Sequence, residues 1–347
     1  MGAPMGIAQE RARTTAFAAD DLPKRPRIPA ELYRPRPLAS TAMIATALVL
    51  FFGGGFVAWR IAISDAPLWL RIAGALPALL VAAHGGHLLG FIGHEGIHLM
   101  LYANRHVSML AGTFFSAMTS FSAVGYGVAH WNHHRYTNFA SDPDSQIYPA
   151  FQTFWKRFFL ARSAGSRSHL RNTIRLARGL PLDLGYRLPF PPPVQRRLAQ
   201  LNLGFLLFWF TLYVTVAIAN PVFALFVVAL PILFLVPMSG LRGYLEHAGT
   251  GRGLFRDTRS YAHPLYTRLF YGNNFHLEHH LYPAVPCYNL PAVHRRLRDG
   301  GELERWRSPV DASLLGPLVH TTAVSQYPCF SEEAAEELRD DPFTASA

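Results

Sequence analysis

Four runs of this chain carry no Asp, Glu, Lys or Arg and are long enough to cross a bilayer: residues 41–59, 72–92, 203–219 and 221–237. A hydrocarbon core of ~30 Å takes about 20 helical residues. Four such segments on one chain exclude an ordinary soluble domain. Pro77, Pro231 and the glycines inside the runs suit membrane helices, where neighbouring helices re-satisfy freed backbone groups. Asn220-Pro221 is a turn signal, so the last two runs form a tight hairpin. The expectation is an all-α integral membrane protein with four transmembrane helices.

Composition agrees: half of the 347 residues are apolar and 16% are charged. The formal charge of +10 suits anionic lipid or an acidic partner. Nucleic acid is excluded as a partner, because neither a basic low-complexity arm nor a nucleic-acid motif is present. Cys287 and Cys329 are the only cysteines, too few for a disulfide framework or a thiolate metal site. Any metal must therefore take nitrogen or oxygen ligands. The first apolar run lies behind a Pro- and Arg-rich lead, "LPKRPRIPAELYRPRP", which is not a secretory-signal pattern. Basic residues gather in that lead, in residues 135–197 and after Arg242, which the positive-inside rule makes cytoplasmic. The excess of Arg over Lys fits a bacterial inner membrane.

The histidines carry the chemistry. "HEGIH" holds His94 and His98; "HWNHH" holds His130, His133 and His134; "HLEHH" holds His276, His279 and His280. His247 stands just past the fourth run. Residues three and four apart share a helix face, so each box aims its imidazoles together. At this histidine frequency one HxxHH arises by chance in roughly one such protein in thirty, and two in fewer than roughly one in a thousand. Nine imidazoles are too many for one ion and suit two, with positions left open. Spacing alone leaves iron, zinc, copper and nickel as alternatives. His106, His169, His263, His294 and His320, outside the boxes, read as hydrogen-bonded structural groups.

Depth decides a fifth apolar stretch, residues 109–128. The 22 residues from Ile72 to His94 make ~33 Å of helix, so the first box and His247 reach the same face. Were residues 109–128 to span, "HWNHH" would lie ~30 Å away on the other side. The stretch must dip and return, or lie buried against the other helices, its polar groups shielded by protein.

The three boxes in this order, "HEGIH", "HWNHHRYTN…DPD" and "HLEHHLYPAVPCYNLP" with hydrophobic hairpins between them, resemble the membrane fatty acid desaturase–hydroxylase superfamily over about residues 41–298. The resemblance implies a non-haem diiron centre in a cytosolic helical cap on a four-helix membrane domain. It implies His94, His98, His130, His133, His134, His276, His279 and His280 as ligands, with His247 similar to an extra ligand before the third box. It implies oxidation of a fatty acid, acyl thioester or other lipid chain, with O2 as co-substrate. An external donor such as ferredoxin or a cytochrome would supply electrons, since no haem-domain signature is present. Desaturation leads; hydroxylation, or oxidative decarboxylation to a terminal alkene, is the alternative. The first box is HxxxH where many acyl-CoA desaturases have HxxxxH, and the third begins with histidine, not glutamine.

Glu95 and Glu278 point away from the metal face and suit hydrogen bonding to imidazole N–H groups. Asp142 and Asp144 either do the same or form an Asp-Pro turn. His84 and His87 share a face with His94 and either line the substrate path or hydrogen-bond within the bundle. Residues 154–179 read as an amphipathic helix pair on the membrane interface, suited to an anionic head group or an acidic electron carrier. "PPPVQRR" reads as a rigid linker, and the acidic end as disordered or a loose helix. The domain expectation is a cytosolic segment 1–40, a catalytic domain 41–300 and a cytosolic tail 301–347. A metal transporter is the competing class; it would place ionisable groups deep in its spans, whereas these lie at one interface. A haem electron-transfer protein would need paired axial histidines, not trios.

Overall fold

The computed structural model describes residues 23–182, 188–322 and 326–331; the acidic end beyond Ser331 lies outside the described residues. Each apolar run forms a helix longer than itself. The four are α1 (Pro37–Ala62), α2 (Leu68–Ile97), α6 (Pro192–Ala219) and α7 (Pro221–His247), all long and apolar enough to cross a membrane. Between α2 and α6 come α3 (Arg105–Ala117), α4 (Ala123–Tyr136) and α5 (Arg162–Ala177). After α7 come α8 (His276–Leu281) and α9 (Leu290–Asp299). A two-residue parallel pair, β1 (Ser260–Tyr261) with β2 (Val310–Asp311), is the named sheet among the described residues.

The hairpins of the bundle lie at one end. Asn220 closes α6 and opens α7, its Oδ1 accepting the Phe223 N–H at 2.9 Å, with Pro221 pre-set for the first turn. At the other hairpin Pro67 precedes α2, and Arg71 donates to the Ala62 carbonyl at 3.0 Å. The thirty residues of α2 make ~45 Å, against a core of ~30 Å. Its last turns, with the first box, therefore stand clear of the hydrocarbon. Where helices cross, glycines bring the backbones together, as small residues do in lipid. A Cβ on Gly85 would sit 2.3 Å from the Phe51 nitrogen, and one on Gly55 2.8 Å from Val227 Cα.

The fifth apolar stretch dips and returns. α3 runs inward, residues 118–122 turn with Ser120 at φ 57°, and α4 runs back out. The polar ends of this dip are answered by side chains. Trp209 Nε1 donates to the Phe114 carbonyl and the Tyr213 hydroxyl to the Met118 carbonyl. At the start of α4, Val124 N–H donates to Asn202 Oδ1 and Gly125 N–H to Thr173 Oγ1. Non-helical backbone at this depth needs such partners, because no water is there to provide them.

Two local expectations change. Residues 154–177 form one continuous helix through a π turn at Arg157–Ala161, not a pair, because nothing in the segment breaks it. Gly240 of α7 lets it approach closely: a Cβ there would lie 2.8 Å from the Arg157 carbonyl. "PPPVQRR" is no linker. Its prolines open α6, where the missing N–H groups would have had no helical partner anyway. The lead segment packs on the third box, with Arg25 donating to the Leu281 carbonyl and the Tyr282 hydroxyl to that of Pro26.

The crossing of α2 and α3 sets the position of the dip. A Cβ on Gly112 would lie 2.6 Å from Gly96 Cα and 2.9 Å from the Ile92 carbonyl. Gly112→Val is expected to cost about 1–3 kcal/mol by overpacking. The thermal midpoint in detergent should fall, while Gly204→Ala, with nothing within 4 Å of its Cβ, should leave it in place. Equal midpoints for the two variants would refute the crossing.

Candidate metal centre

The three boxes converge at the ends of α2, α4 and α8, joined by the last residue of α7. The first-box helix closes with Leu99 in the left-handed region at φ 63°. Leu99 N–H donates to the Gly96 carbonyl and Met100 N–H to that of Glu95. That stop leaves His94 and His98 on the final turn. α4 ends in the second box, and α8 is little more than the third box itself.

Two groups of four imidazoles result. His94, His98, His130 and His279 form one; His133, His247, His276 and His280 form the other. Within each group the ligand nitrogens lie within 4.8 Å of one another, and all eight residues are buried. The trios therefore do not act as units. Positions i+3 and i+4 fall on opposite sides of position i, so His130 and His133 part company, as do His279 and His280. Each group draws on three separate segments. His134 belongs to neither tetrad and sits between them. Its Nε2 is 3.0 Å from that of His130, and its ring lies 4.3 Å from that of His280.

These imidazoles cannot satisfy one another. His130 Nε2 faces His94 Nε2 and His134 Nε2, both at 3.0 Å, and one nitrogen cannot serve both. Both nitrogens of His98, and Nε2 of His279 and of His280, are buried with no hydrogen-bond partner. Burial, aided by neighbouring imidazoles, pulls His130, His134, His276, His279 and His280 well below the ordinary range. Burial lowers His98 to about 3. Neutral imidazole is the form that ligates metals. Crowded, neutral, unpartnered nitrogen donors fit a pair of metal ions.

His133 differs. Burial acts to lower it, but the carboxylates of Asp142 and Asp144 outweigh burial and hold it up to about 9. Its Nδ1 donates to Asp142 at 2.9 Å and lies 3.8 Å from Asp144, which leaves Nε2 to face the second tetrad. Asp142 also accepts the N–H groups of Asn138 and Asp144, so it both caps a turn and orients the ligand. Burial lifts the Asp144 carboxyl to about 6, against the pull of His133. Asn138, itself at φ 68°, donates through Nδ2 to the Gly251 and Asp257 carbonyls and pins this loop to the segment beyond α7.

Glu95 lies 3.4 Å from His94 Nδ1 and accepts the Cys287 N–H at 2.9 Å, tying the first box to the third. Glu278 touches no box histidine other than through its own helix; it accepts from Ser260 Oγ and His294 Nδ1, each at 2.5 Å. His294 is the hydrogen-bonded structural group its place outside the boxes implied, but sequence reading missed Ser260, whose role depends on a loop contact with no spacing signal. It also missed Glu246, whose Oε2 is 3.5 Å from His276 Nε2 while Oε1 accepts from Arg242 at 2.8 Å. An i,i+4 Arg–Glu pair beside a ligand histidine was the available clue. His84 hydrogen-bonds to the Leu269 carbonyl at 3.1 Å, whereas His87 Nδ1 has no partner.

A cavity of about 140 Å³ adjoins both tetrads, bounded by His94, His130, His133, His247 and His276 on the metal side. Span-length helices are thus capped by two buried, all-nitrogen groups that could each hold a metal ion. The family model for fatty acid desaturase matches residues 67–307, and the chain belongs to that family, within the membrane desaturase–hydroxylase superfamily. No curated protein matches the chain.

Asp142→Asn removes one of the oxygens that accept from His133, Asn138 and Asp144. Affinity for the second metal is expected to drop 10–100-fold. Elemental analysis of purified protein should show metal per chain falling from two towards one, and an unchanged stoichiometry would refute the orienting role.

Proposed function

We propose that this protein is an oxygen-dependent oxidase of a fatty acyl chain and that its leading reaction is desaturation. The observation that carries the reading is the pair of buried imidazole tetrads opening on one cavity at the end of a membrane bundle. His94, His98, His130 and His279 hold one iron, with His134 beside them, and His133, His247, His276 and His280 hold the other. Iron there supplies the O2 activation and hydrogen removal from an unactivated C–H bond that no side chain can supply.

The chain's own residues do the rest. Asp142 fixes the His133 tautomer, and Glu95 holds the first box to the third. Tyr126 stacks on His130 at 4.8 Å, and with Phe91 and Phe121 gives the cavity aromatic walls against which an alkyl chain packs. In the overall reaction one O2, two electrons and two protons remove two hydrogens from adjacent carbons and leave as two waters. The electrons come from an external one-electron carrier, a ferredoxin or a cytochrome. Both hairpins lie opposite the histidine end, and the basic residues gather at the histidine end, which supports an active site on the cytoplasmic side.

The test is anaerobic iron loading of purified protein, then O2, a reduced ferredoxin and fatty acid, with products read by mass spectrometry. A product lighter by two hydrogens is expected. A product heavier by one oxygen would replace desaturation with hydroxylation, and loss of carbon dioxide would replace it with decarboxylation. Absence of any O2-dependent product from acids, esters or alkanes overturns the oxidase reading. His98→Ala, which removes one ligand of the first tetrad, is expected to lower turnover at least 100-fold.

A further inference from the structure

The cavity has a wall that the metal centre does not use. α5 contributes Arg162, Ser166 and His169 to it, and α2 contributes His87. The other charged groups there are matched. Glu246 takes Arg242 at 2.8 Å, and Asp144 lies 3.8 Å from His133. Arg162 is different: its guanidinium lies 5.2 Å from the Phe121 ring and meets no carboxylate or carbonyl among the described residues. A guanidinium stays charged in a protein, and a half-buried one with no counter-ion gains when an anion joins it. Two more polar atoms wait beside it, since His87 Nδ1 and His169 Nδ1 are buried without partners. A fixed cation, two imidazoles and the Ser166 hydroxyl together make a receptor for a small planar anion.

We propose that Arg162 binds the carboxylate of a free fatty acid inside this cavity, so that oxidation falls among the first few carbons of the chain. Guanidinium and carboxylate match as planar, two-point partners. The cavity, at about 140 Å³, resembles in size the roughly 150 Å³ cavity that takes a benzene ring. It has room for a carboxylate and a short run of methylenes, and the remaining chain would lie outside it. A thioester to coenzyme A or a carrier protein has no charge at the acyl carbonyl and a bulky group where the cavity ends. Arg162 and the box histidines His130, His133 and His247 line the same small space, so an anchored head cannot put a mid-chain carbon at the metals.

The proposal rests on the oxidase reading, and its test separates the two. Binding of ¹⁴C-labelled dodecanoate to metal-free protein in detergent needs no turnover. Wild type should bind it, Arg162→Gln should weaken binding 10–100-fold, and Arg162→Lys should recover part of the loss. Methyl dodecanoate should bind both variants as it binds wild type. In the loaded enzyme, Arg162→Gln should raise KM for the acid with little change in kcat, and iron should stay at two per chain. Dodecanoic acid deuterated at carbons 2 and 3 should lose label, while acid deuterated at carbons 9 and 10 should keep it. Unchanged dodecanoate affinity in Arg162→Gln, or loss of label at carbons 9 and 10, overturns the carboxylate site. Should Arg162→Gln lose its iron, the label position in wild type and the Arg162→Lys affinity decide the matter. Absence of all turnover with binding intact overturns the oxidase reading and leaves the receptor standing.

Discussion

Imidazole nitrogens that cannot satisfy one another set the terms for this structure. In water each would find a partner at no cost. Here they are packed in two tetrads beneath a protein cap, several with no hydrogen-bond partner and others facing identical atoms at 3.0 Å. A buried polar group without a partner is destabilising, and a cluster of them more so. Cations that accept four lone pairs at once would resolve the conflict. The surrounding fold is then understood as the means of holding four segments in register against their own tendency to separate.

Membrane depth supplies that register. α2 and α7 both start at the hairpin end and both end in clustered histidines, because each is longer than the hydrocarbon is thick. The second box has no span of its own to ride on. It reaches the same plane only because α3 and α4 dip and return, and the dip is stable only because Trp209, Tyr213, Asn202 and Thr173 answer its exposed backbone groups. Glycines at the crossings then set how close the helices stand. Changing one of them moves a ligand rather than a lipid-facing surface.

Much of this was legible in the residues. Apolar runs without charge are a strong signal, and box spacing at three and four residues is stronger still. The dip followed from arithmetic: a spanning fifth helix would have carried His130 to the wrong side. What spacing could not give was the division of labour. It aimed each trio in one direction, whereas the 100° between successive side chains sends His133 and His130 to different tetrads. Nor could it find Ser260 or Glu246, which act through contacts between segments distant in sequence. The prolines at residues 191–193 misled for a related reason. The same residue type that ends a helix elsewhere is favoured at its first turn, and only the following pattern tells the two apart.

α8 shows how far the centre depends on tertiary support. It supplies three of the clustered histidines from six residues, and a helix so short has no stability of its own. Its N-terminal end is fixed by Ser260, which accepts the Leu277 N–H while donating to Glu278. Glu278 in turn takes His294 from α9. That carboxylate sits inside a ligand box yet points away from both tetrads, and its work is to clamp the helix between β1 and α9. The ends of the box are held from outside as well, by Arg25 on the Leu281 carbonyl and by Cys287 on Glu95. A ligand box in this protein is therefore two faces of one short helix. One face offers nitrogens to the tetrads, and the other trades hydrogen bonds with the cap so that those nitrogens stay where three other segments require them.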